Sequence, residues 1–197
     1  VRLIYNGVPD VQPPPVARVA PGPTIGSLGR LSFEKGHDIL LRAVAELPDV
    51  AAVLVGDGPD RERLVALASE LGIAERVTFA GWQAEPMAWL PGLDVFVLPS
   101  RLEALGLAAI EAMLARRPVV GSDTGGLPEV VVEGETGLLV APEDPGALAT
   151  TIAGLLSDPA RRAAMGERGR EVALSRFGVD RMVREYEAVY EELLAGR

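Results

Sequence analysis

Short runs of apolar residues alternate with longer amphipathic stretches through most of this 197-residue chain. Continuous apolar runs at residues 24–28, 52–55, 77–80, 95–98, 119–121 and 137–140 predict strands covered on both faces. Helical spacing at residues 37–46, 60–71, 106–115 and 146–156 predicts the segments that join them, with shorter helical pieces near 85–90 and 128–132. Strands that alternate with helices are parallel strands joined by crossovers, so the pattern predicts an α/β fold built on a doubly wound parallel sheet. After Asp158-Pro159 the strands stop. Residues 160–176 are arginine-rich and helical in character. Residues 179–194 set Met182, Val183, Tyr186, Val189, Tyr190, Leu193 and Leu194 along one helical stripe. That stripe is expected to be buried, packed on the sheet or on a neighbouring domain.

The beginning of the chain breaks the rhythm. Residues 1–10 read as a short strand ending in an Asn6-Gly7 turn, and residues 11–23 as a proline-rich linker that cannot join a central sheet. A lone strand and a linker suggest that residues 1–23 are the remnant of a missing N-terminal domain and that residues 24–197 form the domain proper. Composition narrows the field further. Hydrophobic content of 48% with 24% charged residues fits a globular protein, and a net charge of −9 argues against a nucleic-acid or anionic-membrane surface. The absence of cysteine excludes disulfides and thiolate metal sites. No apolar run reaches the roughly 18 residues that a membrane span needs. A cytoplasmic protein is expected, with any membrane association running through the preceding domain.

In open parallel sheets ligands bind beyond the carboxyl ends of the strands, so the loops there are where chemistry is expected. They are residues 29–36 (GRLSFEKG), 56–59 (GDGP), 81–86 (GWQAEP), 99–106 (PSRLEALG) and 122–127 (SDTGGL). Each carries glycine, which permits close backbone approach. None matches a dinucleotide fingerprint or a P-loop, so NAD binding and P-loop chemistry are poor readings. Arg30 and Lys35 lie across the first loop, where a guanidinium fork and the chain's single lysine could converge on one anion. Two glutamates stand eight positions apart: Glu103 before a helix start and Glu111 inside the mostly apolar helix. Free N–H groups at that helix start favour an anion between them. Hydroxyls at both ends and negative charge in the middle describe a nucleotide sugar. Trp82 is placed to line a base pocket, or equally to serve as a structural aromatic. The lone His37 reads as a helix-start residue rather than a catalyst, and Asp57, Asp60 and Asp123 lack metal-ligand spacing.

These residues carry a resemblance. GRLSFEKG, VGDGP at 55–59, FAGW at 79–82, DVFVLPSRLEALGLAAIEAM at 94–113, PVVGSDTGGLPEVV at 118–131 and GETGLLVAPEDP at 134–145 fall in one order. In that order the chain resembles the C-terminal, donor-binding domain of retaining GT-B glycosyltransferases of family four, over nearly its whole length. The resemblance implies a Rossmann-like fold and a donor that is a nucleotide diphosphate sugar. Transfer of a hexose is implied to keep the anomeric configuration without an obligatory metal or other cofactor. Gly29, Arg30 and Lys35 then match the donor-diphosphate loop, Glu103 the acid that contacts hydroxyls of the transferred sugar, and Glu111 the acid that holds the ribose. Ala104, Leu105, Gly106 and Leu107 match the backbone that wraps the sugar and offers amides to the phosphates. Arg30, Lys35 and Glu103 are the implied catalytic residues. Ala104 and Leu105 depart from the family's usual glycine or proline and phenylalanine, and Arg116 stands where a glycine usually ends the helix. The resemblance further implies that the acceptor, unidentified, is held by the absent N-terminal domain and that this half does not transfer sugar alone. Two other readings are a non-catalytic nucleotide-binding or regulatory module and a related GT-B sugar-nucleotide epimerase.

Overall fold

The computed structural model describes residues 2–195. Six parallel strands form one sheet in the order β3-β2-β1-β4-β5-β6: β1 (Thr24–Leu28), β2 (Ala51–Val55), β3 (Val77–Gly81), β4 (Val95–Leu98), β5 (Val119–Ser122) and β6 (Gly137–Val140). The predicted runs match these strands to within one residue at either end. The reason is burial on both faces. Along β4, Val95 and Val97 enter the core on one side of the sheet, and Phe96 and Leu98 enter the core on the other. A strand of this kind has no polar face to show in its sequence.

The first of those cores lies beneath α1 (His37–Ala45), α2 (Arg61–Glu70) and α5 (Pro145–Leu156). The second lies beneath α3 (Leu107–Leu114), the single turn of α4 (Leu127–Val130) and the buried half of α6 (Pro159–Phe177). Asp144 and Asp158 each accept a hydrogen bond from the backbone N–H three residues on, and proline follows each at the first helical position. These are strong helix-start signals. The segment predicted near 85–90 forms a 3-10 turn, Pro86–Gly92.

Two expectations fail. Residues 2–7 form no strand; the only ladder contact is an isolated bridge of Val8 with Gly178, closed by Val8 N–H to Phe177 O at 2.8 Å. A single strand without a partner strand leaves its ladder unpaired, so this stretch instead runs along the end of α6. The Arg170–Asp10 ion pair (2.7 Å) and the edge-on stacking of Tyr5 against Phe177 hold it there. The second concerns the stripe on α7 (Val179–Ala195), and there only the packing on the sheet fails: α7 buries no residue, and Val183, Tyr186, Tyr190, Leu193 and Leu194 are 44–69% exposed. The helical period was legible; Gly7 N–H meets Met182 Sδ at 3.1 Å at the start of the stripe, while the large apolar side chains named above stay exposed.

Candidate functional site

Strand order reverses between β1 and β4, whose neighbours lie on opposite sides. A crevice opens beyond the carboxyl ends of strands at such a reversal. The β1–α1 and β4–α3 loops flank it. In the first loop a 3-10 turn, Phe33–Lys35, points Lys35 across the crevice, where its Nζ donates to Glu103 Oε2 at 2.8 Å. Ser100 Oγ donates to the same oxygen at 3.1 Å. The Glu103 side chain is 8% exposed and that of Lys35 27%. Removing either partner would leave a charge in a low-dielectric wall, so the pair holds itself together. Glu103 Oε1 accepts no hydrogen bond among the described residues, and neither does either carboxylate oxygen of Glu111. Arg30 is exposed and forms no ion pair among the described residues.

α3 supplies the other half. Gly106 precedes it at φ 91°, in the left-handed region, and no side chain caps the helix. The N–H groups of Leu107 and Ala108 find no acceptor among the described residues, while Ala109 N–H bonds back to Gly106 O at 2.9 Å. Such unpaired donors carry the positive end of the helix dipole. One turn further, Glu111 is half-buried, and desolvation pushes its carboxyl above the usual range. A half-buried acid without a partner favours a ligand that donates hydrogen bonds.

The loop glycines do permit close backbone approach, and what approaches is other loop backbone. A Cβ on Gly36 would lie 2.0 Å from Pro99 O, one on Gly56 2.0 Å from Gly29 O, one on Gly58 2.3 Å from Leu31 O, one on Gly125 1.8 Å from Glu103 O and one on Gly126 2.2 Å from Ala104 O. These glycines let loop backbones pack on one another. Gly29 differs: a Cβ there would meet nothing within 4 Å, so on that side the residue faces open space although its carbonyl packs against Gly56.

Of the residues expected to act together, Lys35 and Glu103 touch. Ala104, Leu105, Gly106 and Leu107 lead from that contact into α3. Trp82 stands apart, 75% exposed, just beyond β3, two strands from β1 and thus on the order of 10 Å across the sheet. His37 is no catalyst by position. It is the first residue of α1, buried, with Nε2 3.4 Å from Ser27 Oγ and Nδ1 without a partner. Burial holds its imidazole down at about 4, with the Lys35 charge adding to the effect.

Arg101, Asp38 and Glu143 were missed from the sequence. The Arg101 guanidinium grips Asp38 with two hydrogen bonds, of 2.8 and 2.9 Å, and pairs with Glu143. Burial alone would raise the Asp38 carboxyl, but the Arg101 bonds hold it below the usual range. Attention to the arginine inside PSRLEALG, rather than to its acids alone, was the available signal. Its partners lie 63 and 42 positions away, and no local spacing reveals them.

The family Glycosyl transferases group 1 matches residues 12–172. The chain is 40% identical, over 190 residues, to the GDP-mannose-dependent alpha-(1-6)-phosphatidylinositol monomannoside mannosyltransferase of Mycolicibacterium smegmatis, covering 89% of this chain and 48% of that protein. Its fold superposes on sucrose-phosphate synthase from Thermosynechococcus elongatus with a TM-score of 0.92 at 34% identity, over 100% of this chain and 53% of the other. It also superposes on Anabaena HepE in complex with UDP-glucose, TM-score 0.87 at 28% identity, over 97% and 57%. The chain thus spans about half the length of the relatives it matches.

Proposed function

The chain belongs to the glycosyl transferases group 1 family, and from that premise we propose that it is the nucleotide-sugar-binding half of a retaining hexosyltransferase. The observation that carries this reading is the Lys35–Glu103 contact beside the uncapped start of α3, with Arg30 and Glu111 left without side-chain partners among the described residues. Those groups offer positive charge and N–H donors in the middle, flanked by two acids. In this reading the donor diphosphate lies over Lys35, Arg30 and the N–H groups of Leu107 and Ala108, with Gly29 giving room for its approach. Glu103 accepts from hydroxyls of the sugar, Glu111 from the ribose, and Trp82 borders the base. The complex of HepE with UDP-glucose supports a nucleotide sugar as the class of donor.

Transfer breaks the bond between the anomeric carbon and a diphosphate oxygen, and the bonding electrons leave with the diphosphate. Lys35 and Arg30 meet that growing negative charge, the part a divalent ion plays elsewhere, and no metal or cofactor enters the scheme. The acceptor hydroxyl bonds to the same face of the sugar, and its proton goes to the departing diphosphate. The acceptor site belongs to a preceding domain, to which residues 1–23 lead. The exposed stripe of α7 is available to pack on that domain. No helix among the described residues is long and apolar enough to cross a membrane.

Calorimetry with UDP, GDP and ADP tests the reading. At least one should bind, and Lys35→Ala should weaken it by tenfold or more, the order expected for losing a charge-assisted contact. Failure of all three to bind would sink it.

A further inference from the structure

We propose that Arg101 is a positioning residue for the donor diphosphate: it ties the loop of Lys35 to the loop of Glu103 and so fixes the spacing of their charges. The proposal rests on Lys35 being the cation that meets the phosphates.

Every donor of the Arg101 guanidinium is used within the protein. Nη1 donates to Phe33 O at 2.8 Å and to Asp38 Oδ1 at 2.8 Å; Nη2 donates to Asp38 Oδ2 at 2.9 Å and to Glu143 Oε2 at 3.1 Å; Nε donates to Glu143 Oε1. Its plane lies over the Phe33 ring, 4.1 Å from the centroid. From its own loop after β4 the side chain is thereby spent on the turn after β1, the start of α1 and the loop after β6, and has no donor left for a ligand. Whatever it does for the donor sugar, it does through its neighbours.

Those neighbours are the two charged groups in contact. Phe33 lies two residues before Lys35, and Arg101 two residues before Glu103. Directly between these points the N–H groups of Arg101 and Leu102 both donate to Glu34 O, at 2.8 and 3.2 Å. Side-chain and backbone ties therefore run side by side from one loop to the other. Lys35 has four rotatable bonds and would otherwise sample a wide volume; a fixed backbone origin is what restricts it. The third tie is itself constrained: Glu143 sits at φ 62°, a left-handed conformation uncommon for a residue with a side chain, and its carboxylate reaches Arg101. Thr124 Oγ1, from the loop after β5, donates to Arg101 O at 3.2 Å and secures the same residue from the fourth side.

The single lysine makes the coupling measurable. Acylation of Lys35 by an amine-reactive ester, followed by peptide mass, reports how firmly it is held against Glu103. Arg101→Met should raise the labelling rate about threefold or more, toward the rate of Glu103→Gln, in which the ion pair is removed outright. Calorimetry supplies the second readout. Arg101→Met should weaken UDP or GDP by about tenfold or more while leaving uridine or guanosine affinity unchanged, because only the diphosphate contact is misplaced. Glu143→Gln, at a side chain 58% exposed, keeps the fold if Arg101→Met does not, and should show both effects at about twofold. An unchanged labelling rate in a folded variant overturns the proposal. So does equal loss of nucleoside and diphosphate affinity, which marks general loosening of the domain. A wild-type protein that binds no nucleoside diphosphate, with the labelling response intact, removes the ligand assigned to Lys35 and leaves the Arg101 tie standing.

Discussion

Acidification from pH 7.5 to 5, above the range of the lowered carboxylates, should destabilise this protein chiefly through one residue. His37 is the only histidine in the chain, it is buried at the start of α1, and burial holds its imidazole neutral down to about pH 4. In the unfolded chain the same group takes a proton near its ordinary value of about 6.5. Between those two values the unfolded state binds more protons than the folded one, so stability falls as pH falls. It is fully present above pH 6.5 and is lost progressively toward pH 4. With these two constants the loss is about 1.4 kcal/mol at pH 5.5 and about 2 kcal/mol at pH 5. Urea unfolding followed by tryptophan fluorescence and far-UV circular dichroism at pH 7.5, 6.5, 5.5 and 5 measures it. Glu111 acts in the opposite sense, because its carboxyl is raised by burial and the folded state gains relative stability as that group is neutralised. The informative quantity is therefore the difference between wild type and His37→Gln, whose amide keeps a group near Ser27 Oγ without titrating. That difference should narrow by about 2 kcal/mol from pH 7.5 to pH 5. Identical slopes for the two proteins would refute the argument that His37 is buried neutral.

Arg116 ends α3 at φ 57°, with its own N–H on Met113 O and that of Arg117 on Ala112 O, a helix terminus that suits glycine. Arg116→Gly should stabilise by roughly 0.5–1 kcal/mol, read as a rise in melting temperature of about 2–4 °C. Glu111→Gln should raise the melting temperature of the ligand-free protein, because a poorly solvated carboxylate is removed, and weaken nucleoside diphosphate binding by about tenfold or more; a gain in stability without loss of affinity would separate Glu111 from the ribose. Gly125→Ala, with φ 55° and a Cβ aimed at Glu103 O, should cost about 1–3 kcal/mol and displace Glu103, seen as weaker binding in the same calorimetry.

Much of the fold was legible because its strands are apolar on both faces and its helices show helical spacing between them. Val95–Leu98 could hardly be read otherwise. Of the candidate residues, Lys35 and Glu103 were singled out by residue type, each within its own loop, and the structure brings the two into contact. What ties one loop to another was not legible. The Arg101–Asp38 grip depends on which strands the sheet brings together, and Glu143 joins it through a backbone conformation that its residue type does not announce. Residues 2–7 form no strand and α7 stays off the sheet for a related reason: local pattern states that a surface is apolar or extended, and only tertiary context states what, if anything, meets it.

The interlocked glycines also decide where this crevice is free to diversify. Gly36, Gly56, Gly58, Gly125 and Gly126 each touch the backbone of another loop, so altering one loop's length or path disturbs its neighbours. Leu102, Ala104, Leu107 and Trp82 have exposed side chains, and where Leu102 and Ala104 join the frame they do so through backbone atoms that a side-chain substitution leaves in place. A change of donor is therefore open to substitution at a few outward side chains over an unaltered chassis, and a library confined to those four positions would sample new specificities with little cost in folded protein.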